Sequence, residues 1–513
     1  MTGALVLAID QGTSSTKCLV VDEAGAVVAR GQAPVGQATP APGWVEQDAN
    51  AIWDSVRVAV ADAVTAEIAP RLVAVGLSTQ RESCVVWDRR TGEPLTPLLS
   101  WQDQRTIGIC EAVRAAGAEE LVRARSGLPL DPMFSAAKAK WLLDRLDPDR
   151  VRARAGEIVV GTVDAFLVSR FGGAPVVEAG NASRMQLVDV ATGRYDADLL
   201  SLFGVPAAAL PEIVPSTGPF PTVRGLPPLP DGLPVTAVLA DSHAALFAHG
   251  AFAPGAVKAT QGTGSSVMGL VDPRLAALDR GVCRTIAWWV PGMAAAPVQA
   301  FEGNIRAAGS TLIWAAELLG TDPAGLAALA AAEENAGGVH LVPAFGGLGA
   351  PWWDGEAVAL LAGFSLGTRR ASVARAAIES IAHQIADVLD SVRASGVAVD
   401  RLHVDGGPTR NAQLMQIEAD LFGLPVWRSE TAELSALGAA HLAGHAAGVW
   451  DRGALDRLDR AATIFRPSID ETKRAPQRAA WRGAVARSLK DGVPSARAGE
   501  AVEAAPARRA AAD

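Results

Sequence analysis

Two α/β halves of duplicated origin, set face to face across a cleft, follow from three features of this chain. Strands alternate with helices, as in "LVAVGLSTQ" (72–80) and "VTAVLADSHAALFAHG" (235–250). A polar hairpin occurs twice, as "AIDQGTSSTK" (8–17) and "ATQGTGSSVMGLV" (259–271), each time between apolar runs. A Pro/Gly linker, "PLPDGLPV" (228–235), precedes the second occurrence and places the boundary between the halves near residue 250. The chain's 513 residues suffice for two or three domains.

The elements can be justified in order. ALVLAI, KCLVV and VVARGQA read as strands joined by tight turns, with D-E-A-G (22–25) as a hairpin turn. "ANAIWDSVRVAVADAV" (49–64) has helical spacing, and 72–80 is a buried strand that enters a polar loop. VTAVLA is a strand, and a helix starts at Asp241. A long amphipathic helix is predicted over 369–396, with Val373, Ala377, Ile381, Ile385, Val388 and Val392 on its apolar face and Gly396 as its stop. "LHVDGGPTRN" (402–411) is a strand followed by a Gly-Gly turn, and "AELSALGAAHLAGHAAG" (432–448) is a small-residue helix suited to close packing. Beyond about residue 490 the chain is Ala, Arg, Glu and Pro with no periodic core face, so that tail is expected to be disordered.

Composition narrows the function. A hydrophobic content of 49% and a charged content of 20% fit a soluble globular protein. A net charge of −9 argues against a nucleic-acid partner, and no apolar run approaches a membrane span. The first apolar stretch lacks a basic lead and stops at Asp10, unlike a secretory leader. Cys18, Cys84, Cys110 and Cys283 form no C-x-x-C pair and read as reduced thiols of a cytoplasmic protein.

The hairpins carry the chemistry. Backbone N–H groups of a tight Gly/Ser/Thr turn converge on a concavity that attracts anions, and hydroxyls add donors. Gly12, Thr13, Ser14 and Ser15 in the first hairpin, and Gly262, Thr263 and Gly264 in the second, would grip a polyphosphate from both sides. Lys17 adds a cation. Asp10 at the rim would repel phosphate unless a divalent cation lay between them; Mg2+, held through water, suits that place. Gly406 and Gly407 admit close backbone approach, and Asn411 opens the helix that follows.

Together the three elements resemble the phosphate 1, phosphate 2 and adenosine motifs of the actin/sugar-kinase/heat-shock-70 superfamily. Within it, "PGWVEQD", "TQRESCVVWDRRTGEPL", "WQDQRT", "GTVDAFLV", "NASRMQL", "VPAFGGLGAPWWD" and "ALGAAHLAG", in that order, are similar to the FGGY carbohydrate kinases and most of all to glycerol kinases. The resemblance runs from Leu5 to about Ala480. It implies two actin-like (ribonuclease H-like) domains: residues 1–250 with the substrate pocket and first phosphate hairpin, and residues 251–485 with the second phosphate and adenosine motifs. Residues 486–513 are left as the tail. It also implies ATP and Mg2+, phosphorylation of a terminal hydroxyl of a polyol or sugar, and a homodimer or higher homo-oligomer.

Asp241 on its own reads as a helix N-cap; the resemblance makes it the general base that takes the hydroxyl proton. Arg81 and Glu82 match the pair that holds polyol hydroxyls, and Trp101 matches an aromatic wall against the substrate's carbon chain. Three pocket positions depart from the glycerol-kinase pattern: Met133 replaces a tyrosine, Ser242 a glutamine and Ser266 a phenylalanine. A wider, differently polar pocket is expected. His243 either packs behind the base or faces the substrate. The Gly-Gly-x-Gly-Gly loop for fructose bisphosphate is absent. A glycerol kinase proper is the nearest alternative; an actin- or heat-shock-70-like ATPase would lack the small-molecule pocket.

Overall fold

A computed structural model describes residues 3–275 and 277–490. The first sheet contains β1 (Leu5–Gln11), β2 (Ser15–Asp22), β3 (Val27–Pro34), β4 (Leu72–Thr79) and β5 (Val235–Ala240), in the order β5-β4-β1-β2-β3. The first three strands form an antiparallel meander, while β4 and β5 run parallel to β1. The second sheet contains β6 (Gly255–Gln261), β7 (Ser265–Leu270), β8 (Cys283–Trp288), β9 (Val298–Ile305), β10 (Val399–Asp405), β11 (Val426–Ser429) and β12 (Ala462–Phe465). Its order is β8-β9-β7-β6-β10-β11-β12. The run β9-β7-β6-β10-β11 repeats β3-β2-β1-β4-β5 in both order and direction. Even the register repeats: Asp10 lies across from Ser78, and Thr260 lies across from Asp405.

The helices that matter to the site are α1 (Ala49–Ala63), α2 (Asp241–Ala248), α3 (Gly309–Leu318), α4 (Arg370–Ala394), α5 (Ala412–Phe422), α6 (Leu434–Ala446) and α7 (Glu471–Ser488). Helix α1 covers β2 and β3, starting where Asp48 accepts the Asn50 N–H. The segment between β4 and β5 has an apolar cluster of its own around Leu142, Met185 and Phe203, and it carries Trp101, Met133 and Arg184 toward the cleft.

Helix α6 comes late in the chain, yet it packs on the first sheet, against Val6, Ala8, Ala74 and Leu239. Its small residues permit this approach. A Cβ on Gly76 of β4 would sit 2.3 Å from the Ala439 carbonyl oxygen, and one on Gly438 would sit 1.8 Å from that of Ala244 in α2. The close packing expected of this helix is therefore realised, and it ties the second half to the first.

Helix α4 differs from its expected amphipathic form. From Ala376 to Leu389 every residue is buried, including Glu379, His383, Gln384 and Asp387, whereas Val373 is half-buried. The polar side is covered by α7: Arg478 pairs with Asp387 and donates to the His383 carbonyl at 3.0 Å, and the Trp481 indole donates to Asp387 at 2.8 Å. Helix α7 itself continues to Ser488, three residues past the expected end of the second domain. Residues 491–513, most of the expected tail, lie outside the described residues. All four cysteines are free and buried. Among the described residues no helix is long and apolar enough to cross a membrane.

Candidate active site

Asp241 is the first residue of α2, placed where β5 ends. Its side chain is 37% exposed, and its contacts both take Oδ1: the Ser242 N–H at 2.6 Å and Arg81 Nε at 3.1 Å. It does not cap the helix; Ala240 holds that position.

Arg81 and Glu82 follow β4 and are both buried. Arg81 forks onto Glu302 of β9, with Nη1 to Oε2 at 2.7 Å and Nη2 to Oε1 at 2.8 Å. Glu82 accepts Arg184 Nε at 2.7 Å, and Arg184 Nη1 reaches Glu302 at 3.0 Å. The backbone of Glu82 has φ +61°, uncommon for a residue with a side chain. Its conformation is held at both ends, by Arg184 on the carboxylate and by the Ser135 hydroxyl donating to its carbonyl at 3.0 Å. Burial disfavours a charged Glu302, but the adjoining Arg184 and Arg81 guanidiniums hold its carboxyl well below the usual carboxylate range.

Ser242 and Ser266 lie beside this cluster. Ser266 donates to Glu302 Oε1 at 2.8 Å, Ser242 donates to Ser266 at 3.3 Å, and Arg81 Nη2 donates to Ser242 at 3.4 Å. His243, two residues after Asp241, is fully buried, and burial drives its imidazole well below its ordinary value. Met133 is half-buried in a small cluster with Phe134, Leu128 and Trp353. Its loop is pinned by Asp131, which accepts the Met133 N–H at 2.8 Å and pairs with Arg306 of the second half at 3.0 Å.

The first hairpin sits at the end of β1. Gly12 N–H donates to the Ser15 carbonyl at 3.0 Å, and the Ser14 carbonyl accepts Val35 N–H at 2.9 Å. Trp101 is drawn to this hairpin rather than to the arginine cluster: its indole N–H donates to Thr13 Oγ1 at 3.0 Å. Asp10 is hydrogen-bonded to Ser78, and burial pushes its carboxyl up to about 6. Ser78 opposes that rise, the Asp241 charge adds to it, and Lys17, directly across the ladder, opposes it. Lys17 also lines a cavity of about 130 Å³ with Arg30, Gln32, Asp62 and Glu433.

The second hairpin is braced by the start of α3, where Gly309 N–H donates to the Gly262 carbonyl and Ala308 N–H to that of Thr263, both at 2.8 Å. Gly264 has no room for a side chain, since its Cβ would lie 2.3 Å from the Ile305 carbonyl oxygen. Gly406 has φ +101° and would place a Cβ 1.9 Å from the Gln261 carbonyl oxygen. In contrast, a Cβ on Gly407 would meet nothing within 4 Å, and one on Gly262 nothing closer than 3.9 Å. The Asn411 side chain caps α5, accepting Gln413 and Leu414 N–H at 2.9 and 3.2 Å.

Two members of the site escape a reading of single motifs. Arg184 lies inside "NASRMQL", and Glu302 is the one charge in the strand "VQAFEGNI". A lone acid in an otherwise uncharged strand was the available signal.

Known proteins give the context. Residues 5–248 match the N-terminal domain of the FGGY family of carbohydrate kinases, and residues 257–447 match its C-terminal domain. A glycerol kinase of Geobacter sp. (strain M21) is 42% identical over 496 residues, covering 94% of this chain and 98% of the relative. An apulose kinase of Pectobacterium atrosepticum is 40% identical over 492 residues, with the same coverage. The crystal structure of Plasmodium falciparum glycerol kinase with ADP superposes with a TM-score of 0.88 at 29% identity, covering 95% of this chain and 98% of that one. With matched models over both halves and relatives matched over nearly their whole length, the chain belongs to the FGGY family of carbohydrate kinases and catalyses ATP-dependent phosphorylation of a sugar or polyol hydroxyl.

Proposed function

We propose that the acceptor is a polyol or sugar of four to six carbons, phosphorylated on a terminal hydroxyl with Asp241 as general base. The single observation that carries the base assignment is that both contacts of Asp241 use Oδ1, leaving Oδ2 of a part-exposed carboxylate for an incoming hydroxyl. In that role Asp241 accepts the hydroxyl proton as the substrate oxygen bonds to the γ-phosphorus and the bond to ADP breaks.

The nucleotide fits the glycines. Gly262 and Gly407 face open space that a side chain would fill, and Gly264 and Gly406 allow the backbone to close tightly behind them. Gly12, Thr13, Ser14 and Ser15 supply N–H and hydroxyl donors from the first half. Magnesium also fits: it binds through one or two carboxylates, with phosphates and water completing its shell. Asp10, half-buried and with its proton affinity raised, supplies one such carboxylate. Bound there, the ion would neutralise charge on the transferring phosphate.

For the acceptor, the serines favour a hydroxyl-rich chain. Each hydroxyl has one donor and two acceptor sites. Ser266 spends its donor on Glu302 and accepts from Ser242; Ser242 spends its donor on Ser266 and accepts from Arg81. Each keeps one lone pair for a substrate hydroxyl. A short triol leaves some of these sites unmatched, at a cost of roughly 1–3 kcal/mol per missed bond.

Measuring kcat/KM on glycerol, tetritols, pentitols and pentuloses tests the reading. A longer acceptor is expected to exceed glycerol by about tenfold, which needs only about 1.4 kcal/mol. The converse change, Met133→Tyr with Ser242→Gln and Ser266→Phe, should shift preference toward glycerol. Asp241→Asn should retain nucleotide binding and lose about 10²- to 10⁴-fold in turnover. Glycerol emerging as the best substrate of the unmodified protein would establish the second reading, a glycerol kinase, which the Geobacter relative favours.

A further inference from the structure

A fully buried carboxylate in mid-strand is costly unless it is paired. Glu302 is such a group, and its partners come from both halves of the molecule. Ser266 and Asn304 donate to Oε1 from its own sheet, at 2.8 and 3.1 Å. Arg81 and Arg184 reach it from the first half, at 2.7 and 3.0 Å. Arg81, which pairs with both Glu302 and Asp241, is the route by which Glu302 bears on the reaction.

The geometry of Arg81 makes that influence specific. A guanidinium presents a two-nitrogen fork and a separate Nε–H in one rigid plane. Glu302 occupies the fork with two bonds, and this fixes the plane with Nε as the arginine atom nearest Asp241, 3.1 Å from Oδ1. A released fork could turn onto Asp241 and engage both of its oxygens, the favoured way for arginine to bind a carboxylate.

We propose that Glu302 is a positioning residue for phosphoryl transfer: it holds Arg81 from the opposite half and thereby reserves Asp241 Oδ2 for the acceptor hydroxyl. The acceptor site is then complete only while the two halves are in contact. This rests on Asp241 being the base.

The test is a double-mutant cycle on the full chain, with radiolabelled ATP to read slow variants. Glu302→Gln preserves shape and removes the charge. It should lower kcat ten- to a hundredfold while KM for ATP stays within twofold. In an Arg81→Met background the same change should alter kcat less than twofold, because the residue it acts through is already gone. A Glu302→Gln enzyme within twofold of the parent overturns the proposal, as does an equal loss in both backgrounds. Should Glu302→Gln fail to fold, Glu302→Asp keeps the charge but shortens the reach. A tenfold drop in kcat with unchanged KM for ATP then supports the proposal, and parental kinetics overturn it. Asp241→Asn separates the underlying reading: if that variant turns over freely, the base assignment falls even where Glu302 and Arg81 prove coupled.

Discussion

Replacing Gly438 with alanine adds one methyl group at the point where α6 crosses α2. The new Cβ would lie 1.8 Å from the Ala244 carbonyl oxygen, against an ordinary contact of at least 3.4 Å, so the helices must part by roughly 1.5 Å. Both atoms are fixed to backbone, and no side chain can rotate away. Overpacking of this kind costs about 3 kcal/mol, offset by about 1 kcal/mol from alanine's better helix propensity, for a net loss of about 2 kcal/mol. The greater effect falls on activity, because Ala244 is less than one helical turn from Asp241. A shift of about 1 Å in a catalytic group costs on the order of a hundredfold in rate. We therefore expect Gly438→Ala to lower kcat by ten- to a hundredfold and to lower Tm. Gly483→Ala is the control: that exposed position in α7 meets nothing within 4 Å, so the same methyl should stabilise by up to about 1 kcal/mol and leave kcat unchanged. Thermal melts and steady-state kinetics on both variants decide the matter. A Gly438→Ala protein as stable and as active as the parent would refute the close crossing and the link from it to Asp241.

Two further outcomes are expected. Burial lifts the carboxyl of Glu418, which accepts Gln261 Nε2 at 2.6 Å, from 4.5 to about 8. Between those values the folded state holds a proton that the unfolded state has lost, so stability falls as pH rises, by on the order of 3 kcal/mol between pH 6 and 9 from this group. Glu418→Gln should flatten that decline in urea melts taken across this range; an unchanged slope would contradict it. Gly406→Ala combines a φ of +101° with a Cβ 1.9 Å from the Gln261 carbonyl oxygen, and should weaken ATP binding at least tenfold by titration, with acceptor binding little affected.

The sequence announced those parts of the molecule that depend on local pattern. Both polar hairpins, the strands that flank them, the start of α2 at Asp241 and the stop of α4 before Gly396 stand where periodicity and turn residues put them. What escaped was set by distant pairing. Arg81 finds Glu302 221 residues away, and no spacing rule connects an arginine in a loop to a lone acid in a later strand. Ser242 and Ser266 were legible as changed pocket residues, but their bond to each other exists only once the halves meet. The polar face of α4 has the pattern of a solvated surface; α7, nearly a hundred residues on, turns it into core by matching Arg478 to Asp387.

The position of α6 bears on how this polypeptide comes into being. During synthesis the strands β1 to β5 leave the ribosome long before Leu434–Ala446 exists, and the face formed by Val6, Ala8, Leu19, Ala74 and Leu239 lacks its main covering helix until then. The nascent first half must wait with apolar surface exposed, a condition that invites chaperone binding or aggregation. A fragment cut at residue 250 inherits the same defect permanently. The two halves are thus duplicated in topology but not independent in folding: the earlier one is finished by a piece of the later, and supplying α6 in trans is the natural way to rescue it.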